Sequence, residues 1–309
     1  MRHNAGRAIC RQEEFADMAQ MEFFIVDVFT IGRKYTGNQL AVYLGNPPTA
    51  LMQQLAKEIN FSEITFVTAD TPENGGYNTR IFMPEVEVDF AGHPVLGTAY
   101  IIQRELIGAP VDELTLNLPI GQIPVTFGAD DVLWMRQNPP RFGHQFAAAD
   151  MARVLNIAAD DIDPRFPIVE VSTGLPFVLA PLVSLDALQR AWVNLDRLRA
   201  LLGAHEAIGP AVFCSETLHA ENDIHVRVLD DIYGAPEDPA TGSAAGCIAA
   251  YMLQYGYFAG RDLRLRAEQG YQIGRPSLLH LHASRASGEI AIRVGGQVEL
   301  VAQGRLASD

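Results

Sequence analysis

Asp89-Phe90-Ala91-Gly92-His93-Pro94-Val95-Leu96-Gly97 has a counterpart 149 residues further on, Asp238-Pro239-Ala240-Thr241-Gly242-Ser243-Ala244-Ala245-Gly246, matching it at Asp, Ala and Gly in one register. Each copy follows a strand-like run that carries an arginine, Arg80-Ile81-Phe82 before the first and Arg227-Val228-Leu229 before the second. Each opens a segment that is apolar on every side, residues 93–106 and 243–257. A helix apolar all round must be buried, and its N-terminus presents backbone N–H groups and a positive dipole end that suit an anion. The repeat therefore predicts a doubled domain whose two central helices start at one cleft, holding one anion between similar halves.

Outward from these segments, short Val, Ile, Phe and Thr-rich runs between turn residues predict strands. In the first half they fall at 21–29, 64–68, 77–82, 114–118, 123–127 and 132–136, with a helix at 50–59 where Leu51, Leu55 and Ile59 share a face. The second half repeats the recipe, with helices at 148–155 and 185–202 and strands at 166–172, 177–181, 211–215, 224–229 and 278–283. Asn138-Pro139-Pro140 marks the crossing, and two last strands, 289–294 and 297–302, are placed to return to the first half. Strict strand–helix alternation is missing, so the fold class is α+β rather than doubly wound. The expected organisation is an extension at 1–20, one domain at 21–128 and a second at 129–299, with a final strand near 300–309 returning to the first.

The 309 residues, 48% of them hydrophobic, suffice for two ordinary cores. A formal net charge of −14 argues against nucleic acid or an anionic membrane surface as partner, and no apolar stretch reaches the length of a membrane span. The first twenty residues mix Arg2, Arg7 and Arg11 with Glu13, Glu14 and Asp17 and lack the apolar core of a secretory signal. Cys10, Cys214 and Cys247 are too few and too far apart for a disulfide framework, which points to a reducing cytoplasm. Cys214 and Cys247 read as small core residues.

Glu63, in Asn60-Phe61-Ser62-Glu63-Ile64-Thr65-Phe66-Val67, stands among apolar neighbours at the head of a strand. Burial raises a carboxyl pKa and makes a proton donor and acceptor usable near neutral pH; the plainer reading is a helix-end glutamate facing solvent, and the sequence supports both. The corresponding second-half stretch, Ser172-Thr173-Gly174-Leu175-Pro176-Phe177, has Gly174 in the place of Glu63, so the acid–base equipment is one-sided. His93 is either a helix-start residue satisfied by backbone or a functional imidazole; its place at a helix N-terminus within a paired motif favours function. Asp238 is able to cap the following helix and to touch a ligand as well. Glu237, Asp230 and Asp231 read as solvated loop charges, and Arg80 and Arg227 as structural. His280 and His282 share a strand face without a third ligand, so no metal is expected. The Gly-rich run 241–246 lacks both the P-loop lysine and the dinucleotide fingerprint, so no nucleotide cofactor is expected.

Taken in order, Gly37-Asn38, Asn60-x-Ser62-Glu63-x-Thr65-Phe66-Val67, Ala91-Gly92-His93-Pro94, Glu237-Asp238-Pro239-Ala240-Thr241-Gly242-Ser243-Ala244, Gln269-Gly270 and Gly274-Arg275-Pro276-Ser277 resemble the PhzF-like family of the diaminopimelate epimerase superfamily, from about Met21 to the C-terminus. The resemblance implies two pseudo-symmetric domains, each with a mostly antiparallel sheet or barrel around a central apolar helix, an active site between them and a homodimer. It puts the acid–base carboxylate on Glu63 and further catalytic contacts on His93 and Asp238, with substrate contacts on Ser62, Gly92, Gly242 and Ser243. Epimerase relatives carry a cysteine near the start of each central helix; Ala91 and Ala240 stand near those places here, and alanine moves no proton. The expected activity is a cofactor-independent isomerisation that moves a proton on a small unsaturated or hydroxy/amino carboxylate. A catalytically silent carboxylate-binding protein, or an epimerase with an unidentified second base, are the alternatives.

Overall fold

The computed structural model describes residues 21–203, 205–229, 237–286 and 288–307; the expected extension at 1–20, Cys10, Asp230 and Asp231 lie outside them. The chain opens with the antiparallel pair β1 (Glu22–Thr30) and β2 (Asn38–Leu44). Helix α1 (Thr49–Ile59) ends at Asn60, whose left-handed conformation (φ 54°) stops the helix and turns the chain into β3 (Ile64–Val67). After β4 (Tyr77–Phe82) and the short β5 (Glu87–Val88) comes α2 (Gly92–Ile101), continued by a wider turn over Ile102–Ile107. Strands β6 (Glu113–Leu118), β7 (Gly121–Phe127), β8 (Leu133–Arg136) and β9 (Arg141–Phe146) follow. Then come α3 (Ala148–Leu155), β10 (Ile168–Ser172), β11 (Pro176–Pro181), α4 (Leu185–Arg190), α5 (Leu195–Leu202), β12 (Pro210–Cys214) and β13 (Ile224–Val228). Helix α6 (Gly242–Tyr255), β14 (Asp262–Gln269), β15 (Ser277–Ala286) and β16 (Glu289–Arg305) complete the chain.

The strands hydrogen-bond in the order β1-β2-β3-β4-β6-β7-β8-β16, and β16 pairs back onto β1, which closes a barrel. From β16 the sheet continues through β15-β14-β13-β12-β11-β10 to β9. Most pairs are antiparallel, while β2–β3, β4–β6, β11–β12 and β13–β14 are parallel. Strand β16 joins the two parts: Val294 lies opposite both Leu281 of β15 and Met135 of β8, and Arg305 at its far end lies opposite Glu22 of β1.

The sequence predicts two terminal strands there, whereas β16 runs unbroken for 17 residues. Gly295 and Gly296, which lie between the two expected strands, serve as clearance: a Cβ on Gly295 would lie 2.6 Å from Trp134 Cδ2, and one on Gly296 2.3 Å from Phe29 Cδ1. The single helix expected at 185–202 is likewise two. Between α4 and α5 the chain leaves the helix so that Trp192 N donates to Leu155 O and Asn194 N to Val154 O, satisfying carbonyls at the end of α3. The Asn194 side chain then caps α5 by accepting from Arg197 N. Strands β2, β9 and β14 carry no sequence expectation, and β2 and β14 prove central to the sheet.

Both helices of the repeat are buried, α2 from Gly92 to Ala99 and α6 from Gly242 to Leu253. One continuous apolar core, with Leu96 and Val125 in it beside Phe213 and Ile248, surrounds both. Two smaller clusters lie under the outer helices, Met52 and Ala56 of α1 on Tyr43 and Phe66, and Met151, Leu155 and Leu188 of α3 and α4 on Val178 and Val212. Cys214 and Cys247 are core residues, as expected.

Candidate active site

The two buried helices start against each other. A Cβ on Gly92 would lie 3.3 Å from Ser243 N and 3.4 Å from Gly242 Cα, so glycine at position 92 lets the two helix starts come this close without crowding. The sequence repeat aligns Gly92 with Thr241, yet α2 and α6 begin at Gly92 and Gly242, so the second copy uses one more residue before its helix. The first N–H groups of a helix have no intrahelical acceptor, and neither preceding side chain supplies one: Ala91 has none to offer, and Thr241 does not cap α6.

Around the two starts lies a cavity of about 770 Å³. It is lined by all seven residues expected to make catalytic or substrate contacts, Ser62, Glu63, Gly92, His93, Asp238, Gly242 and Ser243, together with Gly174 and the apolar Phe90, Ile123, Leu175 and Ile208. Glu63 arrives there because Asn60 ends α1 immediately before β3. Two residues on, hence on the same strand face, Thr65 Oγ1 lies 2.8 Å from Thr98 Oγ1 of α2, which fixes the helix against β3. His93, near the start of that helix, thereby comes beside Glu63, with Nε2 3.7 Å from Glu63 Oε2.

The imidazole is 5% exposed, and burial lowers its pKa to about 4 even though its hydrogen bond to Gln39 favours the charged form. Its Nε2 lies 3.2 Å from the Gln39 carbonyl, an acceptor only, so that nitrogen carries the proton and donates. His93 is thus neutral beside Glu63, with its Nε2–H donated to the Gln39 carbonyl and no cation added next to the carboxylate.

Asp238 is held on several sides. Asn38 Nδ2 donates to its Oδ1 at 2.9 Å, the Thr241 hydroxyl donates to Oδ2, and its backbone N–H donates to Val228 O at 3.1 Å. Burial raises the pKa of this carboxyl, opposed by the Thr241 and Asn38 hydrogen bonds. Gln269 grips the same loop, with Nε2 donating to Asp238 O at 2.9 Å and to Thr241 Oγ1 at 3.1 Å.

Glu237 corrects an expectation: it is buried and pairs with Arg227 at 2.8 Å rather than facing solvent. Arg227 also donates to the carbonyls of Leu188 and Ala191 at the end of α4, and Arg80 pairs with Glu87 at 2.6 Å, so both arginines are structural as read. Among the described residues that line the cavity there is no lysine or arginine, while Glu63, Glu87, Asp89, Glu237 and Asp238 all do. The Cys247 thiol, pushed up to about 12 by burial, supplies no thiolate near neutral pH. His282 turns to Asp262 at 3.0 Å while the His280 ring lies 6.0 Å from that of Trp134. Asn38 and Gln269 were visible in the sequence as motif residues, but nothing in their spacing announced that they hold Asp238.

The family model for phenazine biosynthesis-like proteins, PhzC-PhzF, matches residues 26–304. The chain is 34% identical to a trans-2,3-dihydro-3-hydroxyanthranilate isomerase of Pseudomonas fluorescens, covering 89% of this chain and 95% of that one. It is 32% identical to an uncharacterized isomerase of Mesorhizobium japonicum, covering 94% and 99%. Among solved structures it is similar to a PhzF-family phenazine biosynthesis protein of Bacillus anthracis, with a TM-score of 0.85 at 26% identity over 94% of this chain and 99% of that one. A hydroxyproline epimerase of Agrobacterium vitis matches with a TM-score of 0.60 at 10% identity over 94% of each chain, a likeness of fold alone.

Proposed function

The chain belongs to the PhzC-PhzF family of phenazine biosynthesis-like proteins, and on that premise we propose that it is a cofactor-independent isomerase in which Glu63 moves a proton on a small unsaturated hydroxy or amino carboxylate. The observation that carries this reading is the 3.7 Å approach of the neutral His93 to Glu63 inside a cavity where two helix starts meet. In the proposed step the Glu63 carboxylate takes a proton from one carbon. The electron pair released forms a new double bond, the existing double bond shifts, and the carboxylic acid returns the proton to the far carbon. Atoms and electrons balance without an oxidant or a metal. The substrate carboxylate takes the N–H groups of Gly92, Gly242 and Ser243, Ser62 binds beside Glu63, and His93 and Asp238 orient the remaining polar groups.

In this reading residues 21–128 and 129–299 act as two pseudo-symmetric halves, each contributing one helix start, with the end of β16 returning to the first. One-sidedness follows from Gly174, which lines the cavity without a side chain able to exchange a proton. A second reading, an epimerase in which Asp238 is the opposing base, draws support from the raised proton affinity of that carboxyl.

The test begins with trans-2,3-dihydro-3-hydroxyanthranilate and related unsaturated amino and hydroxy acids, assayed in deuterated water. Glu63→Gln should keep the fold and ligand binding and lose on the order of 10²- to 10⁴-fold in turnover, as expected for a positioned acid–base group. Near-normal turnover in that variant refutes the mechanism. Inversion at a single carbon with deuterium incorporated there, abolished by Asp238→Asn, selects the epimerase reading instead.

A further inference from the structure

We propose that Arg275 and Asn38 are positioning residues for Asp238: the guanidinium pins the Gly37–Asn38 turn, and Asn38 in turn fixes the direction of the Asp238 carboxyl. This rests on the reading of Asp238 as a site residue. Neither Arg275 nor Asn38 lines the cavity.

The chain of contacts is continuous. Asp27, 2% exposed, accepts from Arg275 Nη2 at 2.7 Å and from Tyr35 N at 2.6 Å. The same guanidinium donates from Nη2 to Thr36 O at 3.2 Å and from Nε to Gly37 O at 3.0 Å, and Gly37 N donates to Pro276 O at 2.9 Å. A planar fork with donors in fixed directions suits this set of one carboxylate and two carbonyls, and an ammonium does not reproduce it. Gly37 has φ +75°, and a Cβ there would sit 2.3 Å from Val28 O, so the turn requires glycine. Its next residue, Asn38, donates through Nδ2 to Asp238 Oδ1 at 2.9 Å and to Ala240 O at 3.1 Å. Both partners are acceptors, which settles the orientation of the amide.

The Arg275 loop and the Asp238 loop also share a packing point. A Cβ on Gly270 would lie 2.3 Å from Arg275 O and 2.6 Å from Pro239 O. Movement of Arg275 is thus felt at Asp238 both through Asn38 and through Gly270. The groups that bear on the Asp238 carboxyl are Asn38, the Thr241 hydroxyl, the Ala240 N–H and the charge of Glu237, itself paired to Arg227. Donors to a carboxylate favour its charged form, so loss of the Asn38 donor increases the proton affinity of Asp238.

The test titrates Asp238 directly, with carboxyl-13C-labelled aspartate in the full chain and Asp238→Asn to assign the signal. Asn38→Leu should shift the titration midpoint upward. Arg275→Gln combined with Asp27→Asn, which avoids leaving a buried charge alone, should shift it in the same direction. Arg275→Lys, which keeps charge and loses the fork, should do so as well and covers the case in which the double variant does not fold. Arg305→Gln, which breaks the exposed pair with Glu22, should leave the midpoint in place. An unchanged midpoint in Asn38→Leu, or in a folded Arg275 variant, overturns the proposal. Full turnover in Asp238→Asn would instead remove Asp238 from the reaction while the titrations still decide the positioning.

Discussion

His93 shows how a single residue carries both site chemistry and a stability signature. Its folded pKa of about 4 lies below the ordinary 6.5 because burial penalises the imidazolium. Between these values the unfolded chain binds a proton on this ring and the folded chain does not. Its stability contribution is therefore full above pH 6.5 and is lost as the pH falls toward 4. The difference amounts to about 3 kcal/mol at most. Urea denaturation across this window should show a flatter acid limb in His93→Gln than in the parent chain, and identical limbs would mean that the ring is protonated within the fold. At this scale the sequence placed His93 at a helix start, and Glu63 beside apolar neighbours was legible too. Glu237 was misread, because the sign of its burial depends on Arg227, a strand residue ten positions earlier that points at it only once the sheet is built.

Among the elements, β1 and β16 show how a strand is shaped to receive a helix start. Phe29 has φ 63°, an outlier for a bulky residue, at a point where the β1–β16 register shifts. Its ring lies where a Cβ on Gly242 would come within 3.1 Å and one on Gly296 within 2.3 Å. The irregular backbone lets this ring fill the space under the start of α6. Gly296→Ala should cost about 1–3 kcal/mol by overpacking, read as a lower urea midpoint, because the obstructing atoms belong to a ring already fixed by its backbone. A midpoint equal to the parent's would show that Phe29 yields freely. The sequence could not distinguish this glycine pair from a hairpin turn, since Gly-Gly is also a strong hairpin signal. The break between α4 and α5 was hidden for a related reason: the carbonyls at the end of α3 that it satisfies belong to residues some 40 positions away.

For the whole molecule, the family resemblance leads to the expectation of a homodimer. Light scattering across a range of protein concentrations should give twice the chain mass, and a concentration-independent monomer rules it out. No helix among the described residues is long and apolar enough to cross a membrane. The strand β9 ends the hydrogen-bonded order and pairs only with β10 among the described elements, so the closed barrel and the open end of the sheet give the two parts different edges. That difference was not foreseeable from a repeat that matches in its motifs.

By itself the sequence determined the two buried helices and most of the strands, because an all-round apolar segment has to be enclosed and local periodicity reports burial directly. Its motifs, through family resemblance, also named part of the cavity lining, from Ser62 and Glu63 to Gly242 and Ser243, but not its apolar wall. The sequence expected the last strands to return to the first half and the two helices to start at one cleft; tertiary structure decided that the return is one unbroken β16 that closes the barrel, that the helix starts meet at Gly92 and Gly242, and that Asn38 and Arg275 reach across the chain. Those last two contacts join residues 200 and 248 positions apart. Hydrogen bonds of that span leave no periodic trace in a sequence, since their geometry exists only after both partners are fixed by packing around a shared core.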